Sequence, residues 1–204
     1  MFQLPRGIEI ENLDGIREGY SVSLSEGGFH VFTINVSANN ILRVFTRLAA
    51  EVKQPGFLLL ESGTHQDIEK QLRKNETDPF HRDVYYLDGL RWADADEIVD
   101  SYSELLVHDG EINFGFGSHD GHDEVFVGPY KVFSIYADQP EKYIAALTEL
   151  QILRVDRLKT VWENFTPESP GRRKVLTGDS GTTIWDMIGE LKQRGLYLAE
   201  RRED

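Results

Sequence analysis

The apolar pattern of this chain changes period repeatedly, and that constrains its fold more than any other feature. Residues 20–25 and 29–37 alternate apolar and polar side chains, with Val22, Leu24, Val31 and Ile34 apolar. Such a period of two marks half-buried strands, and the intervening Glu26-Gly27-Gly28 is hairpin-turn chemistry. From Asn39 or Asn40 to about Lys53 the period becomes 3.6, with Ile41, Leu42, Phe45, Leu48, Ala49 and Val52 forming one stripe. Pro55-Gly56 ends that helix, and 57–61 reads as a buried strand. Thr64 with Asp67 suggests the cap of a short charged helix to about Lys74.

The switching continues downstream. A strand is expected at 84–87, followed by a helix at 94–107 opened by Asp94 and Glu97 in a capping-box spacing. Three strand-like pieces follow at 111–116, 124–127 and 131–136, then a helix from Asp138-Gln139-Pro140-Glu141 to about Leu150. Residues 151–165 suit either a helix or a strand. Thr182 or Thr183 caps a last helix that Gly195 stops, before a closing strand at 195–199. Hairpins interleaved with amphipathic helices predict an α+β fold with a largely antiparallel sheet and several packed helices. A length of 204 residues suits one such domain, drawn here as 1–165, a linker-like turn at 166–171, and a helix-strand element at 172–204 packed on it.

Charge then narrows function. The formal net charge is −13, which repels polyphosphate and argues against nucleic-acid binding over a broad surface. Residues 92–130 hold 10 acids and no Lys or Arg, while the flanks together carry 22 basic and 25 acidic side chains. Within this stretch Asp96, Asp100 and Glu104 recur every four residues with no cation between them. Like charges at that spacing cost about 0.2–0.5 kcal/mol per pair, and Glu104 would sit at the carbonyl end of the expected helix, where an anion is unfavourable. An acidic docking face explains that cost. It would comprise Asp96, Asp100, Glu104, Asp120, Asp123 and Glu124, with Trp92 as an aromatic anchor.

The same stretch contains Ser118-His119-Asp120-Gly121-His122-Asp123-Glu124. Imidazole and carboxylate groups this dense supply nitrogen and oxygen ligands to a divalent metal such as zinc or manganese. His119, Asp120, His122 and Asp123 are the expected ligands, with His108 and Glu111 brought near if 111–116 pairs with 124–127.

Other motifs exclude more than they offer. Gly178-Asp179-Ser180-Gly181 resembles the nucleophile box of trypsin-like serine proteases, but a helix follows and no matching upstream histidine exists. Gly115-Phe116-Gly117 with Gly121 misses the dinucleotide-binding spacing by one residue. No cysteine is present, excluding disulfides and thiolate chemistry. The start lacks the pattern of a secretory signal, and no apolar run approaches the ~20 residues of a membrane span, so a cytoplasmic protein is expected.

Three readings follow. The first is a non-enzymatic protein–protein interaction module docking a basic protein partner, for instance an inhibitor of a basic effector such as a nuclease, in the manner of a bacterial immunity protein. It needs no cofactor. The second is a metal-dependent hydrolase centred on residues 119–124, in which a bound divalent cation lowers the pKa of water. The third is a small-molecule sensor with a pocket between sheet and helices.

Overall fold

A computed structural model describes residues 2–204. In chain order the elements are β1 (Ile8–Glu9), β2 (Gly19–Leu24), β3 (His30–Asn35), α1 (Ala38–Ala49), β4 (Gly56–Gly63), α2 (Gln66–Leu72) and β5 (His81–Leu90). They continue with α3 (Trp92–Ser101), α4 (Ser103–His108), β6 (Asn113–Gly117), β7 (Glu124–Val127), β8 (Phe133–Ala137), α5 (Pro140–Glu149), β9 (Arg172–Arg173), α6 (Ile184–Gln193) and β10 (Tyr197–Glu203). The expected α+β class is observed, with eight strands in one antiparallel sheet of order β10-β5-β4-β6-β7-β8-β3-β2 and a small β1-β9 ribbon beside it.

Register explains where the core lies. Leu58 stands opposite Leu87 on one side and Phe116 on the other, and the row runs on through Val125, Ile135 and Phe32. Because side chains alternate along a strand, this row and its i±2 neighbours share one face. The apolar stripes of α1, α3, α4, α5 and α6 cover that face, forming one core of buried residues. Phe45 of α1 meets Phe114 edge-on with ring centres 4.7 Å apart. Burying a side chain of this size stabilises by roughly 1.5–3 kcal/mol.

The segment after residue 171 joins the main body, since β10 pairs along β5. Asp83 fastens that edge strand. Its buried carboxylate accepts two bonds from the Arg201 guanidinium at 2.6 and 2.8 Å, one from Thr64 Oγ1 at 2.7 Å and one from the Tyr85 hydroxyl at 3.0 Å. Charged side chains along Glu200–Glu203 guard the open edge against pairing with another chain. At the opposite edge Tyr20 forms a bridge with Arg154. Residues 151–165, compatible in sequence with helix or strand, are mostly irregular and contain one short 3-10 turn at Val161–Asn164.

The acidic helix differs from expectation. Tyr102, at φ −113° and ψ 17°, divides it into α3 and α4. The start moves forward to Trp92, and Asp94 pairs with Arg91 at 3.1 Å instead of capping. Half-buried Tyr102 also directs its hydroxyl to Glu190 of α6 at 2.5 Å, which ties the break to the neighbouring helix.

Candidate functional site

The second face of the sheet carries no helix. Phe57, Leu59, Val84, Tyr86 and Phe126 form a separate cluster there, with Leu59 opposite Tyr86 and Gly115, and Gly115 opposite Phe126. The glycines make this packing. A Cβ on Gly117 would come within 2.5 Å of the Phe57 ring, and one on Gly115 within 3.1 Å of the Phe126 ring. Both rings therefore lie down on bare backbone. Phe57 meets Tyr86 at 5.1 Å and the His119 ring at 4.5 Å, and Tyr86 in turn neighbours Tyr197 at 6.4 Å. Phe57, Leu59 and Val84 are buried in this carpet, whose apolar residues all come from strands. Tyr136 and Tyr197 stand exposed at its margins.

Acids punctuate the carpet. Glu61 is buried, held by Arg202 at 2.7 Å and by the Asn113 amide at 3.2 Å. Asp88 accepts from Tyr197 at 2.7 Å and contacts His119 Nε2 at 2.8 Å. Burial pushes the Asp88 pKa up, but these two hydrogen bonds outweigh it and the net shift is downward. Glu124 differs from both. It projects from β7 between Gly117 and Tyr136 and makes no ion pair among the described residues. Burial, reinforced by repulsion from Glu61, raises its pKa. The Tyr86 hydroxyl is pushed up as well, by burial first and then by Glu124, Glu61 and Glu200. The face thus combines a carboxylate without a counter-charge with aromatic rings, the two kinds of group that attract a cation.

The expected metal ligands do not converge. The β6–β7 hairpin turns them outward in opposite directions across the sheet. His119 reaches toward β5 and Asp88, whereas His122 reaches toward Asp138 at 3.1 Å and lies 4.3 Å from the Phe29 ring. Asp123 is buried, bonded to the Lys142 ammonium, and accepts the Asp138 N–H at 3.2 Å. Asp120 faces Lys53 at 3.5 Å. No group of three or more metal-ligating side chains occurs among the described residues. Residues 114–117 and 124–127 do pair, but in antiparallel register, and Glu111 precedes the strand. His108 and Glu111 therefore sit at the far end of the sheet, where Glu111 pairs with Arg82 at 3.4 Å and Arg173 at 3.7 Å.

Nor do the acids of 92–130 form one patch. Asp96 and Asp100 lie on α3 in the helix layer, while Glu124 lies on the uncovered face. Glu104 bonds Arg6 at 2.5 Å and accepts the Asp179 N–H at 3.1 Å. Because Tyr102 breaks the helix, Glu104 occupies the first turn of α4, where a carboxylate complements the dipole rather than opposing it. Trp92 is half-buried and packs edge-on against Phe116 at 5.1 Å and Phe45 at 6.0 Å, so it anchors the core.

Lys131 gave no signal in the sequence. It is buried, with its ammonium donating to the Ile112 carbonyl at 2.5 Å, and burial lowers its pKa to about 7. Tyr130 and Lys131 both adopt left-handed backbone, at φ 57° and 59°. No helix among the described residues is long and apolar enough to cross a membrane. No protein-family model matches the chain, and no curated protein or solved structure is significantly similar to it.

Proposed function

We propose that this chain is a non-enzymatic interaction module that docks a basic protein through the uncovered sheet face. The observation that carries the reading is Glu124, a carboxyl without a counter-charge set among Tyr86, Phe126 and Tyr136 on a sheet face that no helix covers. A Lys or Arg side chain entering beside it would remove the repulsion from Glu61 and lay its aliphatic stem on the aromatic carpet. Eight strands about 4.8 Å apart and some five residues long give a face on the order of 600 Å², close to the ~800 Å² per partner of a standard interface. An inhibitor of a basic effector such as a nuclease, in the manner of a bacterial immunity protein, is the concrete form of this reading.

The test is affinity capture followed by calorimetry on the recombinant pair. Glu124→Lys is expected to weaken the pair at least about tenfold, since it places a like charge in the contact. Asp96→Lys with Asp100→Lys should leave affinity within about threefold, as surface charges distant from the contact act only through the screened field. Loss of affinity in the α3 double variant with retention in Glu124→Lys would move the contact to the helix layer and overturn the sheet-face reading.

A further inference from the structure

A cleft of about 690 Å³ opens between α2, the 73–80 loop and the first turn of α6. Its volume falls within the range of small-molecule sites. Two aromatic rings dominate it. Phe80 is 60% exposed, and half-buried Trp185 is held by its indole N–H on the Gly63 carbonyl at 3.3 Å and by the His65 ring edge-on at 5.1 Å. Neither ring needs solvent, and both are open to a flat apolar guest.

The rim reverses the charge of the chain. In a protein of net −13, Lys70, Arg73 and Lys74 crowd five consecutive positions here. The Arg73 guanidinium lies 3.8 Å from the centre of the Phe80 ring and donates to the Asp78 and Glu76 carbonyl oxygens at 2.8 and 2.7 Å. It is thus fixed in direction and makes no ion pair among the described residues; the Asp78 carboxylate, which accepts the Lys74 and Asn75 N–H groups at 2.8 and 3.0 Å, is near enough to feel its charge. Lys74 likewise makes no ion pair there, and the Lys70–Asp67 pair at 3.2 Å is exposed and weak. Of the acids on the wall, Glu69 directs its oxygens to the His81 N–H at 2.7 Å and ring Nδ1 at 3.3 Å, which leaves Glu76 as the other carboxylate at the rim.

We propose that this cleft binds a small aromatic anion, a planar apolar ring bearing a carboxylate or sulfonate. The ring lies between Trp185 and Phe80, and the anionic group meets Arg73 and the lysines, Arg73 being pre-oriented by its two carbonyl contacts. The site is independent of the sheet face.

The probe is 1-anilinonaphthalene-8-sulfonate, titrated by fluorescence into the full chain, with neutral N-phenyl-1-naphthylamine as the uncharged control. Saturable one-to-one binding of the sulfonate is expected. Phe80→Ala should weaken it about tenfold, a change the exposed position lets the fold absorb. Lys70→Gln with Lys74→Gln should weaken the sulfonate about fivefold and leave the neutral dye unchanged. Absence of saturable binding at millimolar dye, or wild-type affinity in Phe80→Ala, overturns the site. Equal weakening of both dyes by the lysine variant overturns its anion preference. Loss of the dye in Glu124→Lys would assign it to the sheet face instead.

Discussion

Lys131→Met offers the sharpest test of the buried charge network. The substitution keeps an unbranched side chain of similar length and leaves the left-handed backbone as it is. Burial is the largest influence on the wild-type ammonium; Asp109 and Glu111 favour its charge, while Arg173 and Arg82 oppose it. The net result lowers the pKa from 10.5 to about 7, a bias against the charged form worth at most roughly 5 kcal/mol. The acids would not be orphaned by its loss. Asp109 accepts N–H bonds from Glu111, Ile112 and Leu176, and Glu111 retains Arg82 and Arg173.

The sign follows from proton counting. Between about 7 and 10.5 the unfolded chain holds a proton on Lys131 that the folded chain has released, so wild-type stability from this group rises with pH. The cost is fully present below 7 and gone above 10.5. Lys131→Met never incurs it. In urea titrations at matched pH the variant should therefore be about 1–4 kcal/mol more stable than wild type near pH 6, the range found when buried charges are replaced by apolar groups. That advantage should shrink as pH rises through 8 and 9. By about pH 10 it should vanish or reverse slightly, because the neutral amine still donates to Ile112 and that bond is worth about 0.5–1.5 kcal/mol. His108 faces the same cluster, and burial lowers its pKa, so it is neutral over most of this window. A variant-minus-wild-type difference that stays flat from pH 6 to 10, or a variant less stable at pH 6, would refute the reasoning.

Two further outcomes are expected. Asp83→Asn should cost about 3 kcal/mol at pH 7 by leaving Arg201 without its carboxylate. Burial pushes the Asp83 pKa up, but bonds from Arg201, Thr64 and Tyr85 bring the net shift below 3.8, so the wild-type advantage in denaturant midpoint should persist above that value and fade as acid protonates the folded carboxyl. Zinc or manganese at millimolar concentration should leave the melting temperature unchanged, because His119 and His122 are drawn to Asp88 and Asp138 on opposite sides of the loop; a saturable rise would show that the four ligands can be gathered.

Local signals carried most of the fold. The 20–25 and 29–37 runs became β2 and β3, the Pro140 start gave α5, and Thr183 caps α6 with Asp186 three residues on. What was illegible depended on partners far along the chain. Glu104 read as a misplaced anion because nothing local reveals a break at Tyr102, whose hydroxyl bonds Glu190 eighty-eight positions away. Asp123 read as a free ligand because its counter-ion, Lys142, lies on the next helix. Charge counted along a sequence window says which groups are anionic; only the fold says which have been neutralised.

The uncovered face was hidden by the same limit, in a more informative way. Phe57-Leu58-Leu59-Leu60 is apolar at every position, which in sequence is the mark of a strand covered on both sides. Leu58 and Leu60 do face the helices, but Phe57 and Leu59 face outward. A strand meant only for solvent on that side would place polar residues there, as β2 does with Ser21 and Ser23. Here the outward positions are instead roofed by aromatic rings laid on Gly115 and Gly117, and the half-buried carboxyl of Glu124 among them lacks a cation. An acid whose ionisation the folded chain disfavours is a costly choice for a monomer. A basic partner seated on that face would relieve that cost and cover the exposed rings of Tyr136 and Tyr197, and that is the physical case for docking there.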